Sequence, residues 1–255
     1  MQRNIIVFLI LIIASLGMTS QVRAAQDAAG VTVQPEVINV DSFFSGSELT
    51  VSGDIKAADD VIIEIYGRDA THDFEEKGRV AVFWMTTGKV KLENIPSLYV
   101  MMAPEGKDWT EKAESYGLGM ARVKSHLVIS ETHLEPDTVF SMFVKLKKSE
   151  ELYQENPGSV TYAPVKDGMK HFVGVCKLPS SVSLGDFTVK ATVISNGIPG
   201  QEMQSKFTVR EVGFVKLVNE LASNQRITYG VSAVIIALAA GLLMGVLFRQ
   251  GGGSH

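Results

Sequence analysis

A few residue groups in this sequence have the types or spacing to do chemistry. Cys176, the single cysteine, lies in Phe172-Val173-Gly174-Val175-Cys176-Lys177-Leu178. An exported free thiol is open to redox chemistry. Its parity matches Phe172 and Leu178, which predicts instead a small buried apolar residue. Met85, Met101, Met102 and Met120 carry soft thioethers of the kind that bind copper(I). Met101 and Met102 are neighbours and point to opposite faces of a strand, so at most one could join such a site. Core packing is the expectation for them. Glu131, His133, Glu135 and Asp137 alternate, and a strand would present them on one side, as a hard cation requires. A solvated strand edge and turn is the expected reading. His72, His126, His133 and His171 are not at metal-pair spacing on a helix. No G-x-S-x-G, H-E-x-x-H or Walker loop occurs. The sequence therefore predicts no catalytic residue, no metal and no cofactor. A periplasmic metal- or thiol-based protein using Cys176 or the methionines is the alternative.

The basic and aromatic residues are more suggestive. Lys77-Gly78-Arg79 feeds the apolar run that ends in Phe83-Trp84, and Ile95-Pro96-Ser97-Leu98-Tyr99 follows a polar turn. Arg68, Lys77 and Arg79 near Trp84 and Tyr99 are the candidate site for an anion or a partner surface. A plain hairpin with a solvated basic start and a core tryptophan is the structural alternative. A third feature is a stripe of small residues, Ala233, Ala237, Gly241 and Gly245, recurring every four positions in an apolar segment. Small residues let two membrane helices approach closely, which is how spanning helices associate.

These groups need elements to carry them. The chain has 255 residues, 45% apolar and 20% charged, with a formal charge of −4. That excludes a disordered chain and a polytopic membrane protein, and the acidic balance argues against nucleic acid as a partner. Two apolar runs frame the rest. Ile5 to Ala14 follows Arg3 and precedes Val22-Arg23-Ala24-Ala25, which reads as a signal peptide cleaved after Ala24 or Ala25. Ile227 to Phe248 holds no charge and is bracketed by Arg226 and Arg249, which reads as one transmembrane helix. Together they predict a single-pass protein of the bacterial inner membrane, with a periplasmic domain and a cytoplasmic C-terminus. Gly251 to His255 resembles a linker and tag remnant. The stretch from Ala25 to Arg226 has 21 basic and 28 acidic residues, so it is more acidic than the whole.

That stretch reads as mainly β, an exported antiparallel β-sandwich with immunoglobulin-like elements and short helices. Leu49 and Val51, Val61 to Tyr66, Val80 to Met85, Leu127 and Ile129, Phe187 to Val193, and Phe207 and Val209 carry the strand patterns. Gly53-Asp54, Asn156-Pro-Gly, Asp167-Gly, Leu184-Gly-Asp and Asn196-Gly are the turn signals. Helices are expected at Trp109 to Tyr116 and at Thr138 to Tyr153, the second competing with a strand pattern. Val212 to Ala222 reads as an amphipathic stalk, with Phe214, Leu217, Val218 and Leu221 on one stripe. The organisation is then 1–24 signal peptide, 25–210 β-rich domain, 211–226 stalk, 227–248 membrane helix and 249–255 tail. The β-rich part is either one unit or two lobes, 25–135 and 136–210.

The order of Phe44-Ser-Gly-Ser-Glu-Leu-Thr-Val-Ser-Gly53, Val61 to Arg68, Lys77 to Trp84, Ile95-Pro-Ser-Leu-Tyr99, Phe172 to Pro179, Gly185-Asp-Phe-Thr-Val-Lys190 and Val212-Gly213 leading to Tyr229-Gly230 resembles the bacterial Alph_Pro_TM family. The resemblance implies a signal peptide, an exported β-rich domain and one C-terminal span. It also implies an association with sulfite-exporter-like (TauE/SafE) permeases. The expected function is a non-enzymatic accessory subunit that binds a partner protein or anion and supports a membrane transporter. Its expected partners are an integral membrane protein or a second copy, and the lipid bilayer.

Overall fold

The computed structural model describes residues 30–80, 83–106, 108–130, 133–213, 216, 220 and 226–249; for 76–80, 83–85, 87, 226, 228 and 246–249 it describes the backbone alone. The signal-peptide region and the tail beyond Arg249 lie outside these residues.

Strands dominate in chain order: β1 (Thr32–Gln34), β2 (Val37–Val40), β3 (Ser47–Lys56), β4 (Asp60–Tyr66), β5 (Asp69–Val80), β6 (Phe83–Pro96) and β7 (Tyr99–Pro104). Then follow α1 (Trp109–Ser115), α2 (Met120–His126), β8 (Val128–Ser130), α3 (Pro136–Ser149), β9 (Tyr153–Tyr162), β10 (Met169–Leu178), β11 (Gly185–Ser195), β12 (Ile198–Glu211) and α4 (Arg226–Arg249). Nine strands make one sheet in the order β1-β3-β10-β9-β7-β4-β11-β12-β2. Its two outermost strands, β1 and β2, are separated by only Pro35 and Glu36, across a cis Gln34–Pro35 bond. Two residues cannot span an open nine-stranded sheet, so the sheet must curl until its edges nearly meet. The expected antiparallel sandwich is thus corrected to a nearly closed, barrel-like sheet. Two of its pairings, β12 with β2 and β7 with β9, are parallel. Strands from both sides of residue 135 alternate in it, so that position marks no boundary between lobes.

Local sequence explains most elements. In β3, Leu49, Val51 and Ile55 are buried while Glu48, Asp54 and Lys56 are exposed. Asp167-Gly168 and Asn196-Gly197 both have positive φ at both positions, the geometry of a tight hairpin turn that Asn/Asp-Gly favours. β4 and β7 are buried along nearly their whole length because they are covered on both faces. Met101 faces α1 and α2, its Sδ 3.6 Å from where a Cβ on Gly119 would stand. Met102 faces β10, 3.4 Å from the same point on Gly174.

Several expectations shift. The apolar run Val80 to Met85 is not one strand. β5 ends at Val80 and β6 starts at Phe83, paired as Arg79↔Trp84 and Val80↔Phe83. Asn156-Pro157-Gly158 lies inside β9 as an irregularity, where the register against β7 slips between Ala103 and Pro104. Thr138 to Tyr153 is helical only as far as Ser149, and Pro136 opens the helix because its missing N–H has no partner to lose there. Glu131 lies outside the described residues; His133 precedes that helix and Asp137 sits in its first turn, so the described part of that alternation is not a strand. α2 had no sequence expectation.

Of the expected stalk, Glu211 still belongs to β12 and Val212 is not helical, while Gly213, Lys216 and Glu220 are, with Lys216 Nζ 3.6 Å from Glu220 Oε1. Its apolar stripe at Phe214, Leu217, Val218 and Leu221 lies outside the described residues. α4 has 24 residues and is ~36 Å long at ~1.5 Å per residue. Among the described residues, no helix is long and apolar enough to cross a membrane.

Candidate functional site

Glu64 is the one charge in the run Val61 to Tyr66, and it is fully buried. A carboxylate taken out of water must find partners. Its Oε1 accepts hydrogen bonds from the Tyr99 hydroxyl and the Gly119 N–H, each at 2.9 Å. Its Oε2 lies 2.9 Å from Arg122 Nη1 in an ion pair whose N–H direction does not complete a hydrogen bond. The turn at Gly119 and the start of α2 are therefore aimed at β4. Arg122 extends the chain of charge outward, with the same Nη1 3.1 Å from Glu202 Oε2. Lys190 Nζ lies 3.3 Å from Glu202 Oε1. Burial alone would raise the Glu202 pKa, but a Gln204 hydrogen bond and the Lys190 and Arg122 charges outweigh it and hold it low. Tyr66 stands beside Glu64 and Arg122, and among the described residues its buried hydroxyl completes no well-aligned hydrogen bond. Burial, and then the Glu64 charge, push its pKa far above the usual phenol value, so it stays a neutral donor.

Above this network opens a cavity of about 520 Å³. Arg68, Arg122, His126 and Lys190 line it, with Tyr66 at its base. Asp69 and Asp186 also line it, and Asp186 accepts a hydrogen bond from Thr208 at 2.8 Å. Arg122 and Lys190 are already matched by Glu64 and Glu202. Arg68 is exposed, and its guanidinium packs 3.5 Å from the Cβ position of Gly185. Among the described residues no hydrogen bond or ion pair holds it. The cavity therefore offers one unmatched guanidinium, a neutral phenol and two flanking acids. That suits a ligand with an anionic group and donors of its own better than a bare polyanion.

The five candidate residues for anion or partner binding do not converge. Arg68 reaches the cavity. Tyr99 lies beneath it, buried against Glu64, and cannot touch a partner directly. Lys77, Arg79 and Trp84 sit far along the β5–β6 hairpin, in register as Lys77↔Thr86 and Arg79↔Trp84. Ten residues separate Asp69 from Arg79, or ~33 Å of strand at ~3.3 Å per residue. Glu64, Arg122, Lys190 and Glu202 carried no sequence expectation. The one available signal was an acidic residue inside a β-branched run.

Cys176 is buried opposite Leu49, and burial, reinforced by Glu48, pushes its thiol pKa up to about 12. Met101, Met102 and Met120 are buried in the core. Among the described residues, no group of three or more His, Cys, Asp or Glu is placed to hold a metal ion. A second, apolar groove of about 620 Å³ runs between α3 and the base of the hairpin, lined by Phe74, Val90, Leu92, Met142 and Phe143. His72 stacks on Phe74 and is tilted against Phe143 there, and burial, then Lys147, lower its pKa.

On α4, Ala233, Ala237, Gly241 and Gly245 share one exposed face by their four-residue spacing. A Cβ at Gly241 or Gly245 would meet nothing within 4 Å. Ile227, Val231, Ile235, Leu238 and Leu242 are also largely exposed around the same helix.

No curated protein matches this chain. A family model described as "Putative transmembrane protein (Alph_Pro_TM)" matches residues 30–250. The chain belongs to the Alph_Pro_TM family.

Proposed function

We propose that the protein is a non-enzymatic, single-pass accessory subunit of the bacterial inner membrane. α4 crosses the bilayer and packs through Ala233, Ala237, Gly241 and Gly245 against an integral membrane partner or a second copy. The β domain stands in the periplasm and holds an anion, or an anionic group of its partner, at the Arg68 cavity. The exposed apolar surface of α4 carries this reading. A helix with Ile227 at 84% and Leu242 at 71% exposure has no cover from the described residues of its own chain. In water such a surface is unfavourable by ~25 cal/mol per Å², so lipid or another helix must cover it. Ile227 to Phe248, the full apolar stretch of that helix, holds no charge. Resemblance to a family associated with sulfite-exporter-like permeases points to an anion transporter as the partner.

Affinity purification from native membranes in mild detergent tests the proposal. The wild type should stay in the membrane after carbonate washing and bring a membrane protein, or a second copy, with it. Gly241→Leu and Gly245→Leu should stay in the membrane but lose that companion. Release by carbonate refutes the anchor, and unchanged recovery from both variants refutes the helix packing.

A further inference from the structure

Strand register shows which side chains share the face on which the Arg68 cavity opens. Tyr66 of β4 is opposite Thr188 of β11, and Thr188 is opposite Lys206 of β12. Two residues further on, on the same face, Asp186 is opposite Thr208. The chain stays paired beyond Tyr66, with Gly67 N–H donating to Leu98 O at 2.8 Å and Ser97 N–H to Arg68 O at 2.9 Å. Arg68 is thereby carried to the level of Asp186, and its Nη2 lies 3.5 Å from where a Cβ on the preceding Gly185 would stand. An arginine and an aspartate thus stand on neighbouring strands, both exposed and both lining the cavity. Among the described residues they form no ion pair, with each other or with anything else. Asp186 Oδ1 accepts from Thr208, which leaves Oδ2 without a partner there.

The other charges around them are engaged. Arg122 is held by Glu64 and Glu202, and Lys190 by Glu202. Arg68, Arg122 and Lys190 face Glu64, Glu202, Asp69 and Asp186 in and beneath the cavity, and exposed Lys206, opposite Thr188, makes the count even. A site so close to neutral is not built for a bare anion, which would gain Arg68 but meet Asp186 as a like charge. His126 adds an acceptor. Its Nδ1 is 2.8 Å from Arg122 O, which can only accept, so Nδ1 carries the proton and Nε2 of the neutral ring is left to accept. The volume of about 520 Å³ is that of a small-molecule site.

We propose that the Arg68 cavity binds a small zwitterion, its anionic group on the Arg68 guanidinium and its primary ammonium on Asp186, with Asp69 and His126 as further acceptors. This rests on reading the cavity as an anion site and gives the chemical class of the anion. A single-charge ligand satisfies one of the two side chains and opposes the other; a ligand with both charges satisfies both. Free amino acids and the headgroup of phosphatidylethanolamine share this chemistry.

Isothermal titration calorimetry on the full chain in an uncharged maltoside detergent tests it. Glycine, β-alanine, γ-aminobutyrate and ε-aminohexanoate place the two charges progressively further apart. Propionate and propylammonium are the single-charge controls, and glycerophosphoethanolamine represents the lipid source. At least one of the amino acids or glycerophosphoethanolamine should bind about tenfold or more tightly than either control, the factor that one charge-assisted hydrogen bond supplies. Arg68→Gln should bind that ligand no better than propylammonium, and Asp186→Asn no better than propionate. Arg68→Lys keeps the charge and should keep a preference over propylammonium. Both positions are exposed, so all three variants should melt with the wild type. Tightest binding by glycerophosphoethanolamine supports the shared chemistry and assigns it to lipid; tightest binding by an amino acid assigns it to a free solute. Propionate binding as tightly as every zwitterion overturns the proposal and leaves the anion site standing. Propylammonium binding as tightly, or no binding by any probe, overturns both. A preference unchanged in Arg68→Gln and Asp186→Asn places the ligand elsewhere and likewise overturns both.

Discussion

Arg122→Met is the perturbation that most directly probes the buried network. Glu64 is fully buried, and the Arg122 side chain is 21% exposed at 2.9 Å from it. At that separation the gross attraction is about 6 kcal/mol for an effective dielectric of ~20. Much of this offsets the desolvation of the two charges, so the pair itself contributes little net stability. Removing one partner is different, because Glu64 is left buried without its counter-charge. Such changes cost about 3–5 kcal/mol. The partial exposure of Arg122 and its sharing with Glu202 place the expected loss at the lower end, about 3 kcal/mol. For a domain of this size that lowers Tm by roughly 6–12 °C. The decisive arm is the double variant with Glu64→Gln. The amide keeps an oxygen for the Tyr99 hydroxyl and the Gly119 N–H but carries no charge. It should recover most of the loss, whereas Glu64→Leu should not, since it orphans both donors at about 1–3 kcal/mol each. Thermal unfolding in detergent followed by circular dichroism measures all four proteins. If Arg122→Met melts with the wild type, or if Glu64→Gln fails to rescue it, the charge-pairing argument is refuted.

Other expectations follow from the same structure. Cys176, its pKa pushed to about 12 by burial, should resist thiol reagents in the folded protein at pH 8 and react promptly after denaturation. Prompt labelling of folded protein would contradict its place opposite Leu49. Gly67→Ala would drive a Cβ into Ser97 Oγ and to 2.8 Å from the Leu98 backbone nitrogen, so it should destabilise by about 1–3 kcal/mol in urea titrations. An unchanged midpoint would mean the joint between β4 and β5 is looser than described. His72 has a folded pKa below its ordinary value, so the unfolded chain takes up its proton first as pH falls. Its contribution is complete above ~6.5 and is lost as pH drops through the folded value. The imidazole should titrate below the ordinary histidine value by NMR, and His72→Phe should flatten the acid limb of stability. A His72 titration at or above the ordinary value would refute this.

How much was legible in advance differs from element to element. Alternation at Leu49 and Val51 and from Phe187 to Val193 marked β3 and β11, because over most of each stretch one strand face meets the core and the other is more open. Asp-Gly and Asn-Gly marked two tight turns because those residues tolerate positive φ. The hairpin turn after Val80 was not legible, since an apolar run without a turn residue reads as one strand. Its position is set by pairing across the ribbon, a non-local interaction. Arg68 was legible as a basic residue next to a strand. That it shares a cavity with Arg122, His126 and Lys190, while Lys77, Arg79 and Trp84 lie at the far end of an arm, was not.

Composition and order alone determined that this chain carries an apolar C-terminal helix bearing a small-residue stripe, behind an acidic, mainly β domain. Those properties are local, written in runs, periods and charge counts. Tertiary structure decided that the sheet curls into a barrel-like ring. The reason is that β1 and β2, two residues apart, must pair with opposite edges. It also decided that Glu64, an acid inside a β-branched run, is held in the core by Tyr99, Gly119 and Arg122. Those partners come from two other elements and a turn, brought within 3 Å by packing that no local pattern encodes.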